Sequence, residues 1–169
     1  AHPHQVGKVA LVHNGIIENY LELKRALAKK GRKFSSETDT EVIAHLIDEE
    51  LKRGAKPELA IRRAISRLRG AFAVVVLIED EEERIFAFKR ASPLIIGLGE
   101  EENFVASDIP ALLDHTRTII PMEDDEYAVI TQKRVEIFSQ KGKKIKRAPI
   151  EVSWSPLMAE KAGYKHFML

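Results

Sequence analysis

The main change in the hydrophobic periodicity of this chain is at Gly70, from a helical spacing to a pattern typical of strands. Upstream of Gly70, apolar residues recur every three or four positions in three segments that glycine or proline separates. Downstream, Ala71–Ile78 is a nearly continuous apolar run, and short apolar segments follow it as far as residue 138. A chain divided in this way is expected to place its helices together, apart from most of its strands.

The predicted order is one strand, three helices and then a series of antiparallel strands. The predicted strands are Val9–Val12, Ala71–Ile78, Arg84–Arg90, Pro93–Leu98, Asn103–Ala106, Thr118–Ile120, Tyr127–Thr131 and Val135–Phe138. The main helices are predicted from Glu18 to Lys30, from a cap at Thr38 to near Gly54, and from Pro57 to the stop at Gly70, with shorter ones over Ile109–Leu113 and from Trp154. The expected fold class is α+β, with two stacked layers of antiparallel sheet and the helices on one side.

Composition excludes several classes of function. Lysine and arginine number 27 against 26 acidic residues, so a net charge of +1 argues against nucleic acid or a membrane surface as partner. The sequence contains no cysteine, which excludes disulfides, thiolate metal sites and a cysteine nucleophile within these residues. The pair His2 and His4 lacks a third ligand at metal-binding spacing, so no metal or organic cofactor is expected.

The dipeptide Asn14-Gly15 is predicted to form a sharp turn between the first strand and the first helix. Such a turn exposes backbone N–H groups, and the Asn14 amide adds a side-chain donor beside them. Donors grouped in this way are suited to an oxyanion in acyl transfer. Asn-Gly is also an ordinary turn dipeptide, and the sequence alone favours that simpler interpretation.

A second candidate feature lies at the start of the second helix. Thr38 and Glu41 fit the spacing of a capping box, in which each side chain bonds the other residue's backbone amide. Asp39 lies between them, where the helix dipole favours an ionised carboxylate. From the residues alone, the favoured role for Asp39 is that of a helix cap, and a ligand for an ammonium group is the alternative.

Three segments taken together resemble the glutaminase domain of class II glutamine amidotransferases: His13–Asn19, Ser36–Glu41 and Arg69–Phe72. The stretches Ser92–Gly99, Asn103–Asp108 and Ala162–Leu169 resemble the branch of that family that aminates fructose 6-phosphate. The resemblance runs over essentially the whole chain. It implies an N-terminal-nucleophile hydrolase fold, an αββα sandwich of two antiparallel sheets between helix layers, here incomplete at the N-terminus.

The resemblance also implies roles for individual residues. Asn14 and the backbone N–H of Gly15 match the oxyanion hole, Asp39 matches the carboxylate that binds the α-ammonium of glutamine, and His2 matches a histidine near the pocket. The implied partners are glutamine, an isomerase domain of the same parent chain and further copies of that parent. The implied location is the cytoplasm.

The sequence departs from the family in one respect that matters for chemistry. The family's nucleophile is an N-terminal cysteine whose own α-amino group acts as base, and no cysteine occurs here. We therefore expect residues 1–155 to be the C-terminal part of a glutaminase domain, inactive alone, and residues 156–169 to begin a linker toward an isomerase domain. A sheet that lacks strands is expected to expose edges and apolar surface and to associate.

Two other interpretations remain open at this stage. The first is another class II amidotransferase, either phosphoribosyl-transferring or asparagine-forming, since these share the Asn-Gly dipeptide and the acidic ligand. The second is a binding or scaffold module that has the same fold without catalysis.

Overall fold

A computed structural model describes residues 2–153. The helices are α1 (Tyr20–Lys29), α2 (Thr40–Lys52) and α3 (Pro57–Arg67), with one short 3-10 turn at Pro110–Leu112. The strands are β1 (His4–Val6), β2 (Val9–Ile17), β3 (Gly70–Ile78), β4 (Ile85–Arg90), β5 (Ile95–Leu98), β6 (Asn103–Ala106), β7 (Thr118–Pro121), β8 (Glu126–Ile130), β9 (Val135–Ser139), β10 (Lys144–Ile145) and β11 (Ile150–Glu151).

The strands form two antiparallel sheets. The larger has seven strands in the order β1-β2-β3-β4-β8-β9-β10, and the smaller has four in the order β11-β7-β5-β6. The predicted α+β fold with two antiparallel sheets is therefore confirmed. Three short strands, β1, β10 and β11, were not predicted, because two or three residues are too few to establish a period.

The larger sheet separates two hydrophobic cores. On one face Phe72, Val74 and Val76 of β3 pack with buried residues of all three helices, including Leu27 and Ile43. The opposite face packs against the small sheet, with these buried residues in the cluster: Ala73, Ala87, Leu94, Ile96, Ile120, Met122, Ala128, Ile130 and Ile137. The helices thus lie on one side, as expected. The second helix layer of the implied sandwich is represented, within residues 2–153, only by the 3-10 turn beside the small sheet.

The prediction of a turn at Asn14-Gly15 is wrong. Both residues lie inside β2, which continues to Ile17 and pairs with β3 along its whole length. Gly15 is in the left-handed region with φ +126°, and a Cβ there would lie 2.1 Å from the carbonyl oxygen of Ala71. Close strand pairing, which only glycine permits at this position, therefore overrides the turn propensity of the dipeptide.

The predicted capping box is also wrong. Helix α2 begins at Thr40, and neither Thr38 nor Asp39 caps it through its side chain. The carboxylate of Glu41 instead accepts hydrogen bonds from Ser35 and Ser36, six and five residues upstream. The acidic residue of the motif thus ties down the loop that leads into the helix.

Helix α2 is fixed by ion pairs in its second half. Three consecutive acidic residues, Asp48, Glu49 and Glu50, are buried, and each is paired with a cation from a neighbouring element. Arg32 pairs with Asp48, Lys30 lies 2.6 Å from Glu49, and Arg63 lies 2.7 Å from Glu50. Because breaking such a pair leaves a buried charge uncompensated, these contacts hold α2 in a defined position.

One face of β2 is only partly covered. Val12 and Ile16 are 42% and 67% exposed on the face that looks toward the small sheet, and Leu77 of β3, which pairs with Ala10, is 53% exposed on the same face. Strands β1 and β6 each have a partner on one side only, within the part of the chain that the structure describes. The expected exposed edge and apolar surface are thus present, and association of the chain stays a prediction.

Two expectations fall outside the described residues. The helix predicted from Trp154 and the boundary between 1–155 and 156–169 both lie beyond residue 153. Among residues 2–153, no helix combines the length and apolar character needed to cross a bilayer.

Candidate functional site

The site is organised by the edge of β2 that faces away from β3. At the two ends of the β2–β3 pairing, the Glu18 N–H donates to the Arg69 carbonyl and the Glu79 N–H donates to the Lys8 carbonyl. Since hydrogen bonds alternate along an antiparallel pair, the even-numbered residues of β2 bond to β3 and the odd-numbered amides point to the other edge.

β1 pairs only with the first part of β2. Of the odd-numbered amides that follow, those of His13 and Ile17, on either side of Gly15, are hydrogen-bonded. The His13 N–H donates to Nε2 of His2 at 3.4 Å, and the Ile17 N–H donates to Oδ2 of Asp39 at 2.7 Å. Gly15 lies between them, and no residue in the described range accepts its N–H. This leaves one strand amide available to a ligand at an exposed position.

Asp39 occupies the position just before α2 but does not cap the helix. Its backbone is helical, with φ −66° and ψ −26°, and its carboxylate bonds the Ile17 amide instead. Ile17 is two residues beyond Gly15, which is about 7 Å along a strand. The helix start therefore brings a carboxylate, with one oxygen already held, beside the available amide of Gly15.

Asn14 projects to the other side of the same strand. Its side chain lies on the face of Val12 and Ile16, is exposed, and borders a cleft of about 420 Å³ between the two sheets. His2 and Ser107 also line this cleft. The structure thus brings Asn14 and His2 to one cleft, while Gly15 and Asp39 lie along the adjoining edge and are not part of its lining.

Glu41 anchors the loop that leads to Asp39, since its carboxylate accepts hydrogen bonds from Ser35 and Ser36. Its carboxylate is buried, which by itself would raise the pKa, but hydrogen bonds from Ser36 and Ser35 outweigh burial and lower the pKa of Glu41 to about 2. Glu41 is therefore ionised at neutral pH. His45 lies beneath it, with Nε2 3.4 Å from the carboxylate, and burial lowers the pKa of that imidazole.

His13 ties β2 to the start of α2. Its ring Nδ1 shares a 3.0 Å hydrogen bond with the Thr40 hydroxyl. The ring is buried, and burial lowers the pKa of His13 although Asp39 acts in the opposite direction. A neutral His13 and Thr40 thus join the strand to the helix one residue away from Asn14 and from Asp39.

Asn19 has a role that sequence reasoning missed. Its amide donates to the Arg67 carbonyl and accepts from the Arg69 N–H, both at 2.9 Å. These bonds hold the junction between α3 and β3. Gly70 has φ +119° there, and a Cβ would lie 2.2 Å from the Ile16 carbonyl oxygen, so the position requires glycine. The resemblance pointed to this residue as part of a motif, but nothing in its spacing indicated a clamp.

The site carries no nucleophile of the kind that the resemblance implies, since the 169 residues contain no cysteine. Within residues 2–153, no group of three or more histidine, aspartate or glutamate side chains is arranged to hold a metal ion. What the arrangement offers is recognition: a carboxylate for a cation, with a backbone donor and a side-chain amide beside it for an oxygen.

Comparison with known proteins gives matches to a family model and to curated enzymes. A family model described as "Glutamine amidotransferase domain" matches residues 2–114, a range that contains every residue of the site. The chain is 53% identical to the glutamine–fructose-6-phosphate aminotransferase (isomerizing) of Thermus thermophilus and 49% identical to that of Thermococcus kodakarensis, in both cases over its full length. It spans 28% and 29% of the length of those two relatives.

A solved structure with a similar fold is the glutamine phosphoribosylpyrophosphate amidotransferase from B. subtilis complexed with ADP and GMP. The TM-score is 0.70 at 27% sequence identity, covering 82% of this chain and 30% of that one.

Proposed function

The chain belongs to the glutamine amidotransferase domain family, and from this premise we propose that its β2 edge is the glutamine-recognition part of a glutaminase site. One observation carries the proposal: the Asp39 carboxylate is held by the Ile17 amide, next to the available amide of Gly15. A carboxylate fixed in this way is suited to grip the α-ammonium of glutamine through charge-assisted hydrogen bonds.

The second element of the proposal is the oxyanion hole. The Gly15 N–H and the Asn14 side-chain amide would donate to the side-chain carbonyl oxygen of glutamine as it acquires negative charge. Donors that a strand holds in place need not reorganise during the reaction, which is why they stabilise developing negative charge strongly. The close approach of Gly15 to the Ala71 carbonyl supports the role, since the pairing of β2 with β3 fixes the backbone there.

For the parent protein we propose the activity of its relatives named above, glutamine–fructose-6-phosphate aminotransferase. In the implied chemistry a cysteine thiol attacks the amide carbon of glutamine and its proton passes through an amine base to the departing nitrogen. Ammonia leaves, and water then hydrolyses the γ-glutamyl thioester to glutamate. The ammonia would be consumed by an isomerase domain of the same parent, which we propose to be a cytoplasmic homo-oligomer.

This 169-residue polypeptide would bind but not hydrolyse glutamine, because the attacking thiol is not among its residues. His2 has a lesser role in the proposal. It lines the cleft and accepts from the His13 amide, so it would shape the pocket rather than bind the substrate.

A phosphoribosyl amidotransferase is the competing assignment for the parent. It has less support, because the solved structure of that kind is 27% identical, whereas the fructose-6-phosphate aminotransferases named above are 49% and 53% identical.

The proposal is tested by comparing two ligands on the isotope-labelled chain by NMR. L-glutamine is expected to shift the amide resonances of Gly15 and Ile17. Glutaric acid monoamide, which has no amino group, is expected to bind at least about tenfold more weakly. Asp39→Asn should remove this preference, and Glu37→Gln, in the same loop with an exposed side chain, should leave it unchanged. Equal affinity for the two ligands, or no binding of either, would overturn the proposal.

A further inference from the structure

We infer that Glu41 is a positioning residue that sets the direction of the Asp39 carboxylate through the serine loop, defined here as residues 35–38. The inference deepens the proposed function and rests on it for the identity of the ligand, an α-ammonium group. It assigns a role in recognition to a residue that touches no ligand.

The first step is the set of hydrogen bonds that converge on Glu41. Oε1 accepts from the Ser35 N–H at 2.8 Å and from the Ser35 hydroxyl at 3.2 Å. Oε2 accepts from the Ser36 N–H at 2.8 Å and from the Ser36 hydroxyl at 2.6 Å. Four donors on one buried carboxylate leave the backbone at residues 35 and 36 little freedom.

Hydrogen bonds between Ser36 and Thr38 connect Glu41 to the residue before Asp39. An ionised carboxylate can only accept hydrogen bonds, so the Ser36 hydroxyl must be the donor in its bond to Glu41. Its oxygen then accepts from the Thr38 hydroxyl at 2.9 Å and from the Thr38 N–H at 3.4 Å. Thr38 is the residue before Asp39, so the charge of Glu41 fixes the donor directions as far as the neighbour of the site.

The Asp39 side chain has few other constraints, while the Asp39 backbone is tied to α2 through its carbonyl, which accepts from the Val42 N–H at 3.3 Å. The side chain makes no capping hydrogen bond to α2, and the contact that the structure gives it is the one with the Ile17 amide. The direction of this side chain therefore depends on how the serine loop and the first turn of α2 together place the Asp39 backbone. Glu41 lies in the buried first turn of α2 against His45, whose ring in turn packs on the ring of Phe34 at 4.3 Å between centroids.

A simpler role for Glu41 would be to stabilise the N-terminus of α2 through the helix dipole. The two roles differ in what they predict at a distance. A helix-terminal effect alone would loosen the first turn of α2, whereas a positioning role must also loosen the Ile17 amide, which lies in another element and reaches this region through Asp39.

The test is amide hydrogen exchange measured by NMR on the full 169-residue chain, without ligand. Glu41→Gln keeps the size of the side chain but replaces one accepting oxygen with a donor. It should speed exchange at Ser35, Ser36 and Ile17 by about tenfold or more, while Leu11, which pairs with β1, stays unchanged. Ser36→Ala, which removes the hydroxyl bond to Glu41 and the relay to Thr38 but keeps both backbone donors to Glu41, should speed Ile17 by a smaller factor. It carries the test if Glu41→Gln does not fold.

Glu37→Gln is the matched control, since that side chain is exposed in the same loop. Faster exchange at Ser35 and Ser36 with unchanged protection of Ile17 would overturn the inference. A second readout is the preference for glutamine over glutaric acid monoamide, which Glu41→Gln should reduce. If Asp39→Asn leaves that preference unchanged, the proposed function fails, yet the Ile17 exchange still decides the role of Glu41.

Discussion

Strand β2 presents two faces that differ in what covers them. Toward the helices, Val9, Leu11 and Ile17 are buried, and His13 is fixed by Thr40. Toward the small sheet, Val12 and Ile16 remain exposed although they are apolar, and Asn14 borders a cleft. The first face is a core and determines where the strand lies, whereas the second face and the adjoining edge hold the groups that we assign to recognition.

Different residues therefore determine where the site lies and which groups it offers to a ligand. The strand is placed by side chains that never meet a ligand. The candidate donors, the Gly15 amide and the Asn14 side chain, are placed by pairing with β3 and by a glycine that permits it. Each of the following predictions contrasts a group on one side of this division with a matched group elsewhere.

The largest effect is expected from Gly15→Ala. The new Cβ would lie 2.1 Å from the Ala71 carbonyl oxygen at a φ that alanine avoids, so the pairing of β2 with β3 must open. The expected loss is about 4 kcal/mol of unfolding free energy, or failure to fold. Gly31→Ala is the control, because φ is also positive there but no atom lies within 4 Å; it should cost about 1 kcal/mol. Urea denaturation measures both, and equal losses would contradict the account.

The next contrast compares adjacent isoleucines on opposite faces of the strand. Ile17→Ala, at a position that is 0% exposed, should cost about 3 kcal/mol because it leaves a cavity in the helix-facing core. Ile16→Ala, at a position that is 67% exposed, should cost less than about 0.5 kcal/mol. Chemical denaturation of the two variants gives the values, and similar costs would mean that the two faces are not distinct.

Acid sensitivity separates Glu41 from the other carboxylates of its loop. Because the pKa of Glu41 is lowered from 4.5 to about 2 on folding, its contribution is complete above pH 4.5 and is lost as the pH falls toward 2. This lowering of the pKa corresponds to roughly 3 kcal/mol at most, and about 2 kcal/mol is expected after relaxation.

Glu41→Gln should remove this part of the pH dependence, whereas Glu37→Gln should retain it. His45 must be considered in the same experiment, since its lowered pKa makes protonation costly below about pH 6.5 in both proteins. The measurement is the unfolding free energy of each protein between pH 7 and pH 2.5. Parallel curves for wild type and Glu41→Gln would contradict the assignment of this pH dependence to Glu41.

The smallest effect on stability is expected on the open face. Ile16→Thr should change the unfolding free energy by less than about 0.5 kcal/mol while it reduces association, because it removes apolar surface from the face on which Val12 is also exposed. Sedimentation velocity at several concentrations is the measurement. A wild-type chain that is monomeric throughout would contradict the prediction of association.

Elements with a clear period were predictable from the sequence. Ala71–Ile78 was predicted as a strand and is part of β3, and Pro57 opens α3 at the expected residue. The glycines at 31 and 54 follow α1 and α2 with positive φ, as helix stops should. The predicted helix over Ile109–Leu113 is instead a 3-10 turn at Pro110–Leu112, with Asp108 bonded to the Ala111 amide.

The site was predictable only in part, because its geometry depends on partners far along the chain. Asn14-Gly15 has the composition of a turn, and only pairing with residues 71–73, nearly sixty positions away, makes it a strand. Asp39 has the position of a cap, and only contact with Ile17 shows that its carboxylate is used elsewhere. Local propensity contains neither fact, and the resemblance to a family supplied the residues without their mechanism.

We propose that the β2 edge at Gly15 and the carboxylate of Asp39 form two sides of one glutamine pocket. A crystal structure of the 169-residue chain soaked with L-glutamine tests this directly. The account predicts the α-ammonium nitrogen within hydrogen-bonding distance of an Asp39 oxygen and the side-chain carbonyl oxygen on the Gly15 N–H. Glutamine bound elsewhere, or Asp39 turned to solvent with β2 intact, would contradict it.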